Sequence, residues 1–478
     1  MGTLTSATEH QASEGGPSPG KQKQERRIFG TDGIRSRANV YPMTAEMVLK
    51  LGRAAGLVLR KGEFRSTVVI GKDPRLSGYM FESALRAGFT SMGVHCLQVG
   101  TLPTPAVAFM TRALRADAGV VISASHNPYH DNGIKFFDPN GMKLPDSMEL
   151  EIERILFSNE MDQHKPTPME IGRATNIEDA PGRYIEFCKN SFPKALRLNG
   201  LRVVVDCANG AAYQVAPRVF WELGAEVISI GNEPDGLNIN DGYGSLHPEH
   251  MRAKVRETRA DIGVAFDGDA DRLLVCDEKG KLLDGDHVLA MCALAMKRND
   301  TLKGGGVVAT VMSNLGLERF LSRHGLNLIR TKVGDRYVLE HMSNNGYNLG
   351  GEQSGHMIFL DHNTTGDGIV SALKVLELMA ANHKPLSELT AGMELVPQIL
   401  KNVMVPIGSD PLSSPKVVDA IARAEKTLEG TGRILIRKSG TEPKIRVMME
   451  GDSQSLIQEL VDDVCQTIQD SVSGDVQV

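Results

Sequence analysis

Ala118-Gly-Val-Val-Ile-Ser-Ala-Ser-His-Asn-Pro128 begins as a short apolar run rich in β-branched residues and ends in hydroxyls, an imidazole, an amide and a proline. A strand apolar at successive positions is covered on both faces, which points to a parallel or mixed sheet with helices above and below. In sheets of that class ligands collect beyond the carboxyl ends of the strands. Ser125 lies just past such an end. A free hydroxyl is a weak nucleophile and needs a base or an attached phosphoryl group. Ser, Asn and Pro also build ordinary turns, so the segment alone leaves turn and nucleophile equally open.

Working outward, the same rhythm recurs. Thr67-Val-Val-Ile-Gly71 leads through Asp73-Pro-Arg-Leu-Ser77 into a predicted helix over 79–92 and a strand over 94–99. Leu201-Arg-Val-Val-Val-Asp206 precedes a predicted helix over 211–223 and a strand over 226–230. A long apolar helix from Val288 precedes Gly306-Val-Val-Ala-Thr-Val311. Alternation of this kind reads as α/β. After about residue 395, strands over 401–405, 433–437 and 445–450 flank two helix-like segments, a smaller α+β pattern. The expected architecture is three α/β/α sandwich domains with mixed sheets plus a C-terminal α+β domain around a central cleft. A chain of 478 residues accommodates it, at about 150 residues per domain. The expected divisions are a disordered arm over 1–25, then 26–180, 181–283, 284–395 and 396–478.

The formal net charge of −6 gives no global attraction to nucleic acid or anionic lipid. The six cysteines form no C-x-x-C pair and read as buried free thiols of a reducing compartment. The apolar stretch 288–296 is too short to span a bilayer, and the polar N-terminus lacks the apolar centre of a signal peptide. A cytoplasmic location is expected.

Five further segments bear on the chemistry. Val264-Ala-Phe-Asp-Gly-Asp-Ala-Asp-Arg272 places three carboxylates, Asp267, Asp269 and Asp271, on alternate residues at a strand end. They repel one another unless a cation lies between them, and Mg²⁺ prefers such oxygen ligands at about 2.0–2.1 Å. The run fails as an EF-hand loop because Arg272 stands where glycine is required. Arg437-Lys-Ser-Gly-Thr-Glu-Pro-Lys-Ile-Arg446 combines cations, hydroxyls and a glycine, either a phosphate cradle or a charged turn. Gly350-Gly-Glu-Gln-Ser-Gly-His356 alternates polar groups with glycines in a way that suits sugar hydroxyls, weakly when taken alone. Phe29-Gly-Thr-Asp-Gly-Ile-Arg35 opens the ordered chain, and capping or turn chemistry explains it equally well. In Asp131-Asn-Gly-Ile-Lys135 the Asn-Gly pair predicts a hairpin turn, with Lys135 read as a solvated charge or a functional one.

These segments, in this order from residue 29 to 447, resemble the α-D-phosphohexomutase superfamily, most closely its bacterial branch acting on glucosamine phosphates. The resemblance implies three related α/β layers and a fourth α+β domain. It implies interconversion of glucosamine 6-phosphate and glucosamine 1-phosphate through a phosphoserine at Ser125 and glucosamine 1,6-bisphosphate, on the way to UDP-N-acetylglucosamine. One Mg²⁺ is then held by the Ser125 phosphate with Asp267, Asp269 and Asp271. Glu352, Ser354 and His356 map onto the sugar loop, and Arg437, Ser439, Gly440, Thr441 and Arg446 onto the phosphate loop. Arg35, His126 and Lys135 match positions around the phosphoserine. The partners implied are a small sugar phosphate and a second copy of the chain, with neither nucleic acid nor membrane. Ser36 departs from the glycine that commonly follows the opening motif, and the Tyr129-His130 pair is a variant.

Lys135 is the favoured acid/base, on the expectation that burial and neighbouring cations depress its pKa; His356 is the alternative. A phosphomannomutase/phosphoglucomutase is the rival within the class. A Mg²⁺-dependent serine phosphatase and a sugar-phosphate sensor are the rivals outside it.

Overall fold

The computed structural model describes residues 27–30, 32–60, 66–406, 408–438 and 443–474. The predicted arm over 1–25 lies outside them. Four sheets follow one another along the chain. The first has the order Ile34–Arg37, Asp131–Phe137, Ala118–Ile122, Thr67–Lys72, His95–Thr101, Ala174–Asn176. The second has the order Leu282–Leu283, Leu273–Asp277, Ile262–Phe266, Arg202–Asp206, Glu226–Ile230. The third has Asn327–Thr331, Gly306–Thr310, Leu349–Gly351 and Met357–Phe359. The fourth is antiparallel throughout: Gln398–Met404, Lys444–Gly451, Gly432–Lys438.

The first three sheets share one device. A buried strand runs parallel to its neighbour, throws out a short polar loop, and returns as an antiparallel strand. Ala118–Ile122 returns as Asp131–Phe137, Ile262–Phe266 as Leu273–Asp277, and Leu349–Gly351 as Met357–Phe359. The loops between them hold Ser125, the three aspartates and Glu352–Ser354. All three chemical segments therefore occupy the same topological position, at the carboxyl end of a strand whose residues are buried.

Two local expectations are corrected. Asn132-Gly133 is not a hairpin turn but the interior of strand Asp131–Phe137, with Gly133 opposite Arg35. A Cβ on Gly133 would lie 2.7 Å from the Ser123 carbonyl and 2.8 Å from that of Ile34. The glycine admits close backbone approach on both sides, and that packing overrides the turn preference of the pair. The helix expected over 211–223 begins only at Val215. Ala208 and Asn209 are left-handed, and the Ala211 amide donates to the Gly268 carbonyl at 2.8 Å. Residues 207–211 are used to brace the acidic loop before the helix starts.

One apolar core runs through the first three units, from Val69 and Val107 through Tyr184, Phe220 and Ile262 to Val307 and Leu373. The fourth has its own, built on Val403, Val417, Ile445, Val461 and Ile468. It joins the third largely through polar contacts. Asn314 exchanges hydrogen bonds with the Val396 backbone at 3.0 Å each way. Fully buried Glu450 accepts from the Leu315 amide at 3.0 Å, Gln398 at 2.9 Å and the Arg433 guanidinium. Hydrogen bonds to a charged group contribute about 1.5–3 kcal/mol each, so polar groups rather than a shared apolar core hold this junction. Among the described residues no helix is long and apolar enough to cross a membrane. All six cysteines are buried and unpaired, as expected.

Asp286 lies at this junction, buried in the first turn of helix Gly285–Arg298, and accepts from the Asn314 amide at 2.7 Å. Burial and then the neighbouring Asp284 push its carboxyl up from 3.8 to about 7. Its folded pKa is raised, so the folded state holds the extra proton. That contribution is full below 3.8 and gone above about 7. Asp286→Asn should therefore gain stability relative to the parent at pH 8, gain clearly less at pH 5 and gain least below pH 3.8. Denaturant melts at these pH values check this; a difference independent of pH would contradict it.

Candidate active site

Strand Ala118–Ile122 delivers Ser125 in a left-handed conformation, φ 51°, costing about 1–2 kcal/mol for a residue with a Cβ. Ser123, one of the two residues between strand and hydroxyl, accepts from the Ser125 amide at 2.9 Å and donates to Asp73 at 2.6 Å. The result is that Ser125 Oγ, 2 % exposed as a residue, donates to Asp267 Oδ2 at 2.6 Å. His126 Nδ1 stands 3.3 Å from the same oxygen. Burial first, then the cations Arg272 and Arg35, push the His126 imidazole down to about 4, so it is neutral at neutral pH.

The acidic loop turns through left-handed Ala270, with the Arg272 amide donating to Asp267 Oδ1 at 3.1 Å. Ligand oxygens of Asp267, Asp269 and Asp271 all lie within 4.8 Å of one another, and all three residues are buried. Thr104 donates its hydroxyl to Asp269 Oδ2 at 2.6 Å and its amide to the Asp269 carbonyl at 2.9 Å. Asp269 Oδ1 and Asp271 Oδ1 are buried without a hydrogen-bond partner. Orphaned carboxylate oxygens in a buried acidic triplet fit a small hard cation. The electrostatics are uneven. Burial, Asp271 and Asp269 hold Asp267 well above the usual carboxylate range. Burial alone would also raise Asp271, but His356, Lys135 and Arg272 outweigh it and hold Asp271 well below that range.

Lys135 is buried, not a solvated charge. Its Nζ lies 3.0 Å from Asp32, 3.5 Å from Asp269 and 3.7 Å from Asp271. Burial alone would lower its pKa, but these carboxylates raise it far above the ordinary value. The depression expected of a lysine base is thus reversed: the sequence segment shows the lysine but not the three acids that converge on it. Arg35 pairs with Asp32 at 3.0 Å and reaches Asn127 at 3.5 Å.

In the third loop Glu352 accepts from Ser354 at 3.3 Å and from the Gly334 amide at 3.1 Å. His356, expected to face sugar, is instead 3 % exposed. Its Nδ1 is 3.5 Å from Asp271, and Nε2 accepts from the Gly366 amide at 3.1 Å. It braces the acidic loop, and a backbone bridge from Arg272 to His356 joins the two loops. In the fourth unit Arg437 and Arg446 stand directly opposite on adjacent strands. Burial and then Arg446 lower the Arg437 pKa. Like charges directly opposed destabilise a sheet, and an anion between them would relieve this. Ser439, Gly440 and Thr441 lie outside the described residues.

The structure gathers Ser125, His126, Asp267, Asp269, Asp271, Lys135, Arg35 and His356 into one cluster, with Glu352 and Ser354 at its edge. Thr104, Asp32, Arg75 and Asn240 also belong to the cluster or its support. Sequence reading does not identify them as site residues, because three come from segments remote from the chemical loops and Asp32 sits in a motif equally readable as a turn.

Family models described as phosphoglucomutase/phosphomannomutase match four consecutive segments. The alpha/beta/alpha domains I, II and III match residues 26–163, 182–280 and 284–396, and the C-terminal domain matches 400–467. The chain is 67% identical over 451 residues to a phosphoglucosamine mutase of Magnetococcus marinus, covering 94% of this chain and 93% of that one. It is 56% identical over 448 residues to the phosphoglucosamine mutase of Rhodospirillum rubrum, covering 93% and 99%. Among solved structures, a phosphoglucomutase/phosphomannomutase family protein of Burkholderia thailandensis superposes with TM-score 0.76 at 27% identity, covering 93% and 97%. An N-acetylphosphoglucosamine mutase of Aspergillus fumigatus, solved with GlcNAc-6P and magnesium, shares the fold with TM-score 0.64 at 18% identity, covering 94% and 97%.

Proposed function

The chain belongs to the phosphoglucomutase/phosphomannomutase family, and we propose that within it the enzyme interconverts glucosamine 6-phosphate and glucosamine 1-phosphate. The choice of sugar follows its relatives at 55–67% identity, which are phosphoglucosamine mutases. The observation that carries the chemistry is the 2.6 Å contact between Ser125 Oγ and Asp267 inside the acidic triplet.

Ser125 carries the phosphoryl group. Its P–O bond breaks as a bond forms from phosphorus to O1 or O6 of the sugar, giving glucosamine 1,6-bisphosphate. The proton balance is one proton from the sugar hydroxyl to Ser125 Oγ, and Asp267 receives the hydrogen bond of the hydroxyl so formed. Neutral His126, 3.3 Å away, is placed to relay that proton. The bisphosphate then turns within the cleft and returns its other phosphoryl group to Ser125. Phosphoryl transfer depends mainly on positioning and charge stabilisation. Lys135 and Arg35 provide fixed positive charge beside Ser125. Mg²⁺ held by Asp267, Asp269, Asp271 and an oxygen on Ser125 would supply Lewis-acid stabilisation of the transferring group. Glu352 and Ser354 offer a carboxylate and a hydroxyl to sugar hydroxyls in either orientation. Arg437 and Arg446, with the loop containing Ser439, Gly440 and Thr441, hold the phosphate that is not reacting. Hinging of the fourth unit over the cleft would exclude water and protect the phosphoserine from hydrolysis.

Turnover of glucosamine 1-phosphate should exceed that of glucose and mannose 1-phosphates by about 10²-fold in kcat/KM. Coupled assays with the three sugars measure it. Equal turnover of the neutral sugars would replace this reading with a phosphomannomutase/phosphoglucomutase, and inorganic phosphate as the main product with a phosphatase.

A further inference from the structure

Arg75 is fully buried, an unusual place for a guanidinium. Its Nη2 donates to the Ser125 carbonyl at 2.9 Å and the Asn127 carbonyl at 2.8 Å. Its Nη1 donates to the carbonyls of Pro128 and, at 3.2 Å, Asp131. Its Nε donates to Asp73 at 2.8 Å, and Asp73 receives the Ser123 hydroxyl that in turn holds the Ser125 amide. From the second unit, Asn240 Nδ2 donates to the same two carbonyls, Ser125 at 2.9 Å and Asn127 at 3.0 Å. A Cβ on Gly268, between Asp267 and Asp269, would lie 2.5 Å from the Ser125 carbonyl and 2.8 Å from Asn240 Nδ2.

We infer that Arg75 and Asn240 are positioning residues for phosphoryl transfer: together they grip the Ser125 and Asn127 carbonyls, hold Ser125 left-handed and lock its loop against the acidic loop. The inference rests on Ser125 being the phosphoryl carrier. Neither residue touches the reacting oxygen. Both grip the backbone of the loop that carries it, and they do so from two different units. Without them the carbonyls of residues 125 and 127 are buried acceptors lacking donors, and the strained φ at Ser125 has no restraint. A planar fork reaching four carbonyls and a carboxylate is a task lysine cannot perform. The pair also carries information between units: a shift of the second unit relative to the first is transmitted through Asn240 to the reacting serine.

The test uses full-length enzyme with Ser125 phosphorylated by incubation with a hexose 1,6-bisphosphate, the occupancy being read by intact mass. A loop displaced by about 1 Å costs about 10²-fold in rate. Arg75→Lys should lower kcat per phosphorylated subunit by about that factor, with KM for glucosamine 1-phosphate changed less than about threefold. Asn240→Leu, of similar shape without donors, removes one of two donors per carbonyl and should lower kcat by about tenfold. In both variants the ³¹P resonance of the phosphoserine should move from its parent position. A purely structural role would lower the melting temperature and the phosphorylated fraction while leaving kcat per phosphorylated subunit and the ³¹P position unchanged; that result overturns the inference. Should Arg75→Lys fail to fold, Asn240→Leu decides alone. A parent enzyme that takes no phosphoryl group on Ser125 overturns the functional reading itself, a result distinct from variants that match the parent.

Discussion

Ser125→Ala should reduce mutase turnover by about four orders of magnitude or more, the scale seen when a nucleophile is removed from a machinery that acts as a unit. The size follows from geometry. Ser125 Oγ is the one hydroxyl donating to Asp267 among the described residues, at 2.6 Å. Among the described residues the only other hydroxyl donating to the acidic triplet is that of Thr104, which is engaged with Asp269 at 2.6 Å. Deleting Oγ removes the carrier while leaving the surrounding charges in place. The fold should survive. The loss amounts to one hydrogen bond to a buried carboxylate, about 1–3 kcal/mol, and Ala fits the same backbone. Incubation with the bisphosphate should add one phosphoryl mass to the parent and none to the variant. Ser125→Thr sharpens the test. It keeps a hydroxyl, but a β-branched side chain at φ 51° is a steric outlier. It should recover little activity, whereas a serine acting only as a polar wall would tolerate threonine well. Undiminished isomerisation by Ser125→Ala would end the proposed mechanism.

The chemistry legible in the sequence is the part that a strand end compresses into a few contiguous residues. Ser125, the Asp267–Asp271 alternation and Glu352–Ser354 each follow a buried strand, so periodicity locates the strand and composition marks the loop. What could not be read is whatever depends on several loops meeting. The Lys135 segment contains no hint of the Asp32, Asp269 and Asp271 carboxylates around its ammonium group, so its expected pKa moved the wrong way. His356 sits in a segment that reads as sugar-binding, yet its ring packs under Asp271. Asn132-Gly133 carries a strong local turn signal, and a two-sided sheet environment overrides it. Arg75 follows a strand in an Asp-Pro-Arg run that reads as a simple connection. Only the folded chain shows that four carbonyls of the Ser125 loop converge on it.

The acidic triplet makes a second large-effect prediction, and its three members should not behave alike. Asp267 is held well above the carboxylate range by burial and its two acidic neighbours, so in metal-free protein it takes up a proton more readily than an ordinary carboxyl. Asp267→Asn, which imitates that protonated carboxyl, should leave thermal stability in EDTA unchanged or slightly raised. Asp271 is the opposite case, kept ionised by His356, Lys135 and Arg272 against the pull of burial. Asp271→Asn removes the carboxylate shared by those groups, although Lys135 keeps Asp32 and Asp269, and should cost up to about 3–5 kcal/mol in EDTA, the scale for breaking a buried ion pair. Towards Mg²⁺ the two variants should fail alike. In the parent enzyme, metal at one hundred times its dissociation constant stabilises by about 2.7 kcal/mol, a shift of several degrees in melting temperature. Both variants should lose most of that shift, and both should lose about 10³-fold in turnover, matching the several kcal/mol that a Lewis acid supplies to the transition state. Because the upward shift of Asp267 favours its protonated form and metal binding needs the carboxylate, the parent's Mg²⁺ affinity should rise with pH. Melting curves in EDTA and in MgCl₂, with calorimetry at several pH values, measure each of these. Two asparagine variants with equal stability in EDTA, or a full Mg²⁺ shift surviving in Asp267→Asn, would mean that the triplet is a structural acidic turn. The opposite perturbations of Asp267 and Asp271 would then have some origin other than a site built to be completed by a cation.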